Sequence, residues 1–229
     1  MDSRTAAIVL RLAGATLSLF AVGYQLLAVH IPLGYSVLNF FSYFTNLSNI
    51  MLSIVFLVSA IRLIRGRLDP SATDVAVRGG VVVYILFVGL VFNTLLTDVD
   101  LGTLRPWVNG IVHFVVPVLG LVDWILWPPR RRLPLSVIGW WMIWPAVYAI
   151  AAVVRGGFVD GFYPYPFFDP ARSGGYGGVL LLCLAMVVGF LVLSLVVWGL
   201  GNWLHGRRWE DEAEEGGAGA AEPDAVGRA

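Results

Sequence analysis

LNFFSYFTNLSNIMLSIVFLVSAI, residues 38–61, has no charged side chain. As a helix it is long enough to cross the roughly 30 Å hydrocarbon core of a bilayer. Its first half nevertheless gathers Ser42, Thr45, Asn46, Ser48 and Asn49. At about 100° per residue, Ser42, Thr45, Asn46, Asn49 and Ser53 share one stripe about 100° wide, with Ser48 just outside it. Lipid tails solvate such a stripe poorly, so it is expected to face protein or a water-filled cavity. Two readings stand. The stripe joins helices through hydrogen bonds, or it builds a site.

Outward from this segment, five further runs have spanning length: Ala6 to Val29, Gly79 to Leu96, Trp107 to Trp127, Leu135 to Val154 and Gly177 to Trp203. With 58% hydrophobic and 13% charged residues, the chain is too apolar for a soluble domain, where about a quarter of residues are charged. The expected fold is all-α, a polytopic membrane protein with six transmembrane helices. The first run is too long, and interrupted by Arg11, for a cleaved signal peptide. Every basic residue is Arg. With the N-terminus inside, eleven arginines fall in cytoplasmic positions and Arg105, Arg155 and Arg172 outside, so both termini are expected in the cytoplasm and the protein in the cell membrane. Residues 1–208 form the membrane domain. Residues 209–229 hold seven acids and one Arg, too few apolar groups to offset ordering entropy, and are expected to be a disordered acidic tail. The lone cysteine, Cys183, excludes an internal disulfide and reads as a buried thiol.

The fourth run, WVNGIVHFVVPVLGLVDWIL (residues 107–126), supplies His113. Asn109, His113, Pro117 and Gly120 recur every three or four residues and share a face. An imidazole within a membrane is a site candidate, the alternative being a histidine bonded to a neighbouring helix. Counted from the outer boundary at about 1.5 Å per residue, Thr45 lies about 10 Å deep and His113 about 9 Å. Asn93 and Thr94 on the third run also fall in the outer half, so polar residues collect in one layer on three helices. Asp123 lies about 15 Å along the axis from His113, too far to orient it, and is expected to reach the inner interface or the Arg130 to Arg132 cluster. A hydroxyl and an imidazole at one depth are the minimum for nucleophilic acyl transfer, Thr45 attacking and His113 taking its proton. Asn46, Asn49, Asn93 or Asn109 could donate to an oxyanion or hold the ring tautomer.

At these residues the chain resembles the androgen-induced and androgen-dependent six-span membrane proteins. Their histidine helix carries Trp-x-Asn-x-x-x-His, matched by Trp107, Asn109 and His113. Their threonine follows an aromatic residue by two positions, as Thr45 follows Tyr43, and a Tyr-Pro loop element has its counterpart at Tyr163 and Pro164. The likeness covers roughly residues 1–208. It implies a six-helix fold and an intramembrane threonine hydrolase acting on fatty acid esters of hydroxy fatty acids, with Thr45 and His113 as the catalytic pair. Bacterial six-span proteins with TNLSN and LTDVDLGTLRPWVN segments are also similar.

Other chemistry finds little support. GYSVL around Ser36 lacks the second glycine of a nucleophile elbow. His30 and His113 have no acidic or thiol ligand beside them, so neither a metal nor another cofactor is expected. No nucleic-acid partner is indicated; the expected partners are a lipid substrate and the bilayer. GFYPYPFFDP, residues 161–170, is either a lid over an outer-leaflet cavity, with Tyr163 and Tyr165 at the headgroups, or a loop packed on helix ends. The reading of the whole is an ester hydrolase with a threonine nucleophile; a non-catalytic protein that binds or transports a lipid or small molecule is the alternative.

Overall fold

Each of the six apolar runs folds as a helix. The computed structural model describes residues 2–97, 99 and 102–210. Its six helices long and apolar enough to cross a membrane are α1 (Ser3–His30), α3 (Phe44–Ile64), α4 (Ala72–Leu95), α5 (Pro106–Leu126), α6 (Val137–Phe158) and α7 (Tyr176–Arg208). A short helix, α2 (Val37–Phe41), precedes α3. No strand occurs among the described residues. The sequence-based ends shift by a few residues, except at two places. α4 begins at Ala72 rather than near Gly79, because Ser71 and Asp74 form a capping box that satisfies its first backbone donors. The second span begins at Phe44 rather than Leu38. The acidic tail lies outside the described residues from 211 onward, and the last described turn continues past Arg208 to Glu210.

α4 is the central element, packed on α3, α5, α6 and α7. Its run GGVVVYI is buried from Gly79 to Ile85. Gly79 and Gly80 permit this, since a Cβ on either would lie 2.6 Å from the Trp141 ring of α6. With no side chain in the way, the indole lies across α4 and its Nε1 donates to Ala76 O at 2.8 Å. Trp140, Phe158, Leu181 and Val188 on α6 and α7 are exposed, as expected where helices border lipid rather than water.

One end of the bundle is marked by its arginines. There Trp127 Nε1 donates to Ser3 O at 3.0 Å, Arg4 Nε to Leu63 O at 3.0 Å and Arg208 Nη1 to Leu126 O at 2.8 Å. The start of α1 and the end of α7 therefore meet the last turns of α3 and α5. Asp123 corrects its sequence-based placement. It is fully buried and bonded to Arg11 Nε at 2.7 Å and Arg78 Nε at 2.9 Å, not to the Arg130 to Arg132 cluster. Arg78 also donates to the Asp123 and Trp127 carbonyls. The reason is register: Asp123, Arg11 and Arg78 lie one or two turns inside helices that pack together, so none reaches headgroup level alone.

Removing one partner of a buried ion cluster costs about 3–5 kcal/mol, because the remaining charge has lost its counter-ion. Asp123→Ala is therefore expected to lower the denaturant midpoint of the detergent-solubilised protein by a corresponding amount. An unchanged midpoint would mean that water reaches both guanidinium groups.

Candidate functional site

The break before α3 creates the site. Ser42 ends α2 and Tyr43 is extended, with φ −80° and ψ 125°, and gives no side-chain cap. A helix starting here leaves backbone N–H groups without carbonyl partners. Two tyrosines supply oxygens instead. Phe44 N–H donates to the Tyr148 hydroxyl of α6 at 3.2 Å, and Thr45 N–H to the Tyr165 hydroxyl of the α6–α7 connection at 3.2 Å. Tyr148 O–H in turn donates to Ser42 O at 2.8 Å. These tertiary bonds outcompete continuation of the helix through Ser42. Ser42 thus leaves the expected polar stripe, and Thr45 sits in the first turn of α3 rather than about two turns down.

α5 presents His113 from a locally widened stretch, Ile111–Val115. The cause is Pro117, which has no N–H for the His113 carbonyl four residues back and whose ring crowds it. A wider turn relieves that clash, and such turns recur at functional sites. Gly89 on α4 leaves room for the displaced backbone, since a Cβ there would meet His113 O at 3.2 Å. The His113 ring stacks on Phe92 of α4 with centroids 3.9 Å apart and planes tilted by 19°.

His113 Nε2 lies 3.2 Å from Thr45 Oγ1, and His113 Nδ1 lies 2.6 Å from Asn109 Oδ1. An amide oxygen can only accept, so Nδ1 carries the proton and Nε2 is left as an acceptor facing the threonine hydroxyl. Thr45 Oγ1 also lies 3.2 Å from the Tyr165 hydroxyl. That hydroxyl already accepts from Thr45 N–H, so its own proton is available to Thr45 Oγ1 or to a ligand. Burial pushes the Tyr165 phenol up to about 12, which keeps that proton in place at neutral pH.

The other candidates take different places. Asn49 is fully buried; its amide donates to Thr45 O at 2.8 Å and Val112 O at 3.3 Å, and its Oδ1 accepts from Ser18 at 3.2 Å. It braces α1, α3 and α5, with both protons committed. Asn46 donates to Phe40 O at 2.7 Å and ties α2 to α3. Asn93 donates to Gly89 O of its own helix at 2.8 Å and is not hydrogen-bonded to the pair. Tyr163 packs over Gly156, where a Cβ would lie 2.2 Å from its ring. Of the two loop tyrosines only Tyr165 touches Thr45. Ser48 is fully buried with no hydrogen-bond partner among the described residues.

Thr45 also borders an apolar cavity of about 110 Å³ between α3, α4, α6, α7 and the 161–170 loop. That is several times the 10–15 Å³, roughly, that one water needs. Phe92, Met142, Phe168 and Met186 contribute to its walls, and Thr45, Tyr148, Tyr165 and half-buried Cys183 bring its polar groups. Arg155 holds the outer rim. Its Nη groups donate to Asn39 and Ser42 side chains, its Nε donates to Asp160 at 2.9 Å, and the guanidinium lies 4.8 Å from the Phe162 ring centroid. That bonding holds the Asp160 carboxyl below its ordinary range. Tyr148, Phe92 and Arg155 escape sequence reasoning. Tyr148 alone carried a signal, as the one hydroxyl in the α6 run WWMIWPAVYAI.

If the tyrosine hydroxyl caps α3, Tyr148→Phe leaves the Phe44 N–H without its acceptor, a loss of about 1–3 kcal/mol. Hydrogen exchange over residues 43–47 is expected to accelerate about tenfold or more, with peptides from α1 unchanged. Equal exchange in the two proteins would show that the bond contributes nothing. No family model, curated protein or solved structure matches the chain.

Proposed function

We propose that this protein is an intramembrane hydrolase that cleaves an ester bond of a lipid, of the fatty acid ester of hydroxy fatty acid type. Thr45 is the nucleophile and His113 the base. The observation that carries the reading is the relay Asn109 Oδ1, His113 Nδ1 and Nε2, Thr45 Oγ1, with separations of 2.6 and 3.2 Å and with Thr45 at the wall of an apolar cavity. Nucleophile and base within hydrogen-bond reach, with the base oriented by a third group, are the geometric signature of an activated hydroxyl. The resemblance to the six-span threonine hydrolases points the same way. On this reading both termini are cytoplasmic and the protein resides in the cell membrane, which places the site in the outer leaflet.

The ester's acyl chain occupies the apolar cavity with its carbonyl carbon at Thr45 Oγ1. Oγ1 attacks that carbon as its proton passes to His113 Nε2, giving a tetrahedral oxyanion. Tyr165 O–H is the donor placed to bond it. The carbon–alkoxy bond then breaks, and His113 returns its proton to the leaving alcohol. Water next attacks the acyl-threonine, giving its proton to His113. The fatty acid departs, and Thr45 Oγ1 recovers its proton. Ester and water become acid and alcohol, and the enzyme is regenerated.

The test is labelling by a fluorophosphonate probe together with hydrolysis of a fatty acid ester, both in detergent. Thr45→Ala is expected to lose both, and His113→Ala to lose hydrolysis by about 10²–10⁴-fold. Thr45→Ser, which keeps the hydroxyl, is expected to retain labelling. Undiminished labelling of Thr45→Ala removes the mechanism. Retention of a lipid by a protein that never labels would favour the non-catalytic binding reading, to which the cavity's apolar walls are equally suited.

A further inference from the structure

The end of the bundle opposite Thr45 holds a second, larger cavity of about 520 Å³. It lies between α1, the end of α3, the start of α4 and the α3–α4 and α5–α6 connections, and seven arginines line it against two carboxylates, Asp69 and Asp74. Asp74 pairs with Arg62, and Asp69 with Arg131. Arg11 and Arg78 share the single carboxylate of Asp123, and Arg4 and Arg67 make no ion pair among the described residues, so these side chains leave a positive excess.

Its buried side is the informative part. The Arg11 side chain is 7% exposed, and its Nε donates to Asp123. Its two Nη groups have no hydrogen-bond acceptor among the described residues. Arg78, 12% exposed, shares the same carboxylate and commits Nε and Nη2 to Asp123 and Trp127, while Nη1 is left over. One carboxylate thus serves two guanidinium groups, and unused donors remain beside a cavity. Arg67, on the exposed side, makes no side-chain hydrogen bond among the described residues.

These spare donors open onto the cavity, where a ligand oxygen can take the place of water. A concave basin with an excess of one sign, walled by low-dielectric material, concentrates potential and draws in counter-charge. Guanidinium groups offer paired N–H donors spaced for the oxygens of a phosphate. The volume falls within the roughly 300–1,000 Å³ of small-molecule sites, well beyond what a simple halide needs.

We infer that this cavity binds a phosphate group, carried by a lipid headgroup or by a small soluble molecule. The Nη donors of Arg11 and Arg78 meet its oxygens on the buried side, and Arg67 supplies charge on the open side. The site is separate from the Thr45 relay and holds whether or not that relay cleaves esters.

The full chain in maltoside detergent would be titrated calorimetrically with inorganic phosphate, with dihexanoyl phosphatidic acid, and with chloride at matched ionic strength. Saturable binding of phosphate, phosphatidic acid or both is expected, and none of chloride. Binding of inorganic phosphate marks a soluble phosphate compound as sufficient. Binding of phosphatidic acid alone marks a lipid headgroup. Arg11→Gln is expected to weaken the dissociation constant about tenfold, the loss of charged hydrogen bonds. Arg67→Gln is expected to weaken it about fivefold. Arg67 makes no bond that the fold uses, so this variant decides the matter even if Arg11→Gln fails to fold. The inference is overturned if neither phosphate compound binds the native protein, or if Arg67→Gln binds with unchanged affinity.

Discussion

A helix that begins among apolar side chains has backbone N–H groups and no water to receive them. The start of α3 is where this chain meets that constraint, and it does so with oxygens from far along the sequence. Tyr148 and Tyr165 reach the Phe44 and Thr45 amides. One side chain rises from α6 and the other descends from the loop that follows it. Because an unbonded amide in such surroundings costs on the order of 1–3 kcal/mol, these contacts fix where α3 may start. The position of Thr45 is therefore a tertiary property. Arg155 extends the same logic to the rim by bonding the end of α2 and the Asp160 turn together. The loop that carries Tyr165 is anchored both at the end of α2 and at Thr45.

Much of this was legible in the sequence. Six apolar runs, with Arg11 and Asp123 the charges inside them, could only be helices at that length, and Asn109 and His113, four residues apart, had to share a face of α5. The pairing of Thr45 with His113 was foreseen from depth, but by a count that the structure revises. That count ran along an unbroken helix from Leu38, whereas Ser42 and Tyr43 interrupt it. No local signal marked the interruption: Tyr43 is a poor capping residue, and nothing near it is a proline or glycine. The information lay about a hundred residues away, in two tyrosines. Asn49 misled in the opposite sense. Its place on the stripe was right, yet its amide is committed to Thr45 and Val112 carbonyls, a satisfaction that only packed neighbours reveal. Asp123 was placed at the correct end of its helix but without Arg11 and Arg78, because helical periodicity says nothing of which helices adjoin.

The orienting group of the relay is an amide, where soluble triads use a carboxylate. In apolar surroundings an ionised carboxylate beside a neutral imidazole would carry a desolvation penalty of several kcal/mol with no cation to offset it. Asn109 avoids that penalty while still selecting the Nδ1–H tautomer. What it gives up is charge: it cannot stabilise an imidazolium as a carboxylate does. On the proposed mechanism, more of the burden falls on donors to the oxygen that attacks and the oxygen that gains charge, which is where Tyr165 stands.

The chain thereby separates two kinds of chemistry along one bundle. Around Thr45 the polar groups are uncharged hydroxyl, amide and imidazole groups, and the Arg155 guanidinium is committed to Asn39, Ser42 and Asp160. At the other end, charge is gathered and left partly unpaired, since Asp123 answers two arginines at once. A neutral site suits a substrate whose reacting group is an uncharged ester carbonyl, because a fixed charge there would have to be desolvated by every long-chain substrate that entered. A basic basin suits the opposite case, a ligand that brings its own charge and exchanges water for guanidinium donors. The thickness of the membrane keeps the two fields apart. α1, α4 and α5, which carry Arg11, Arg78 and Asp123 near one end, also carry or adjoin the groups that brace Thr45 and His113 near the other.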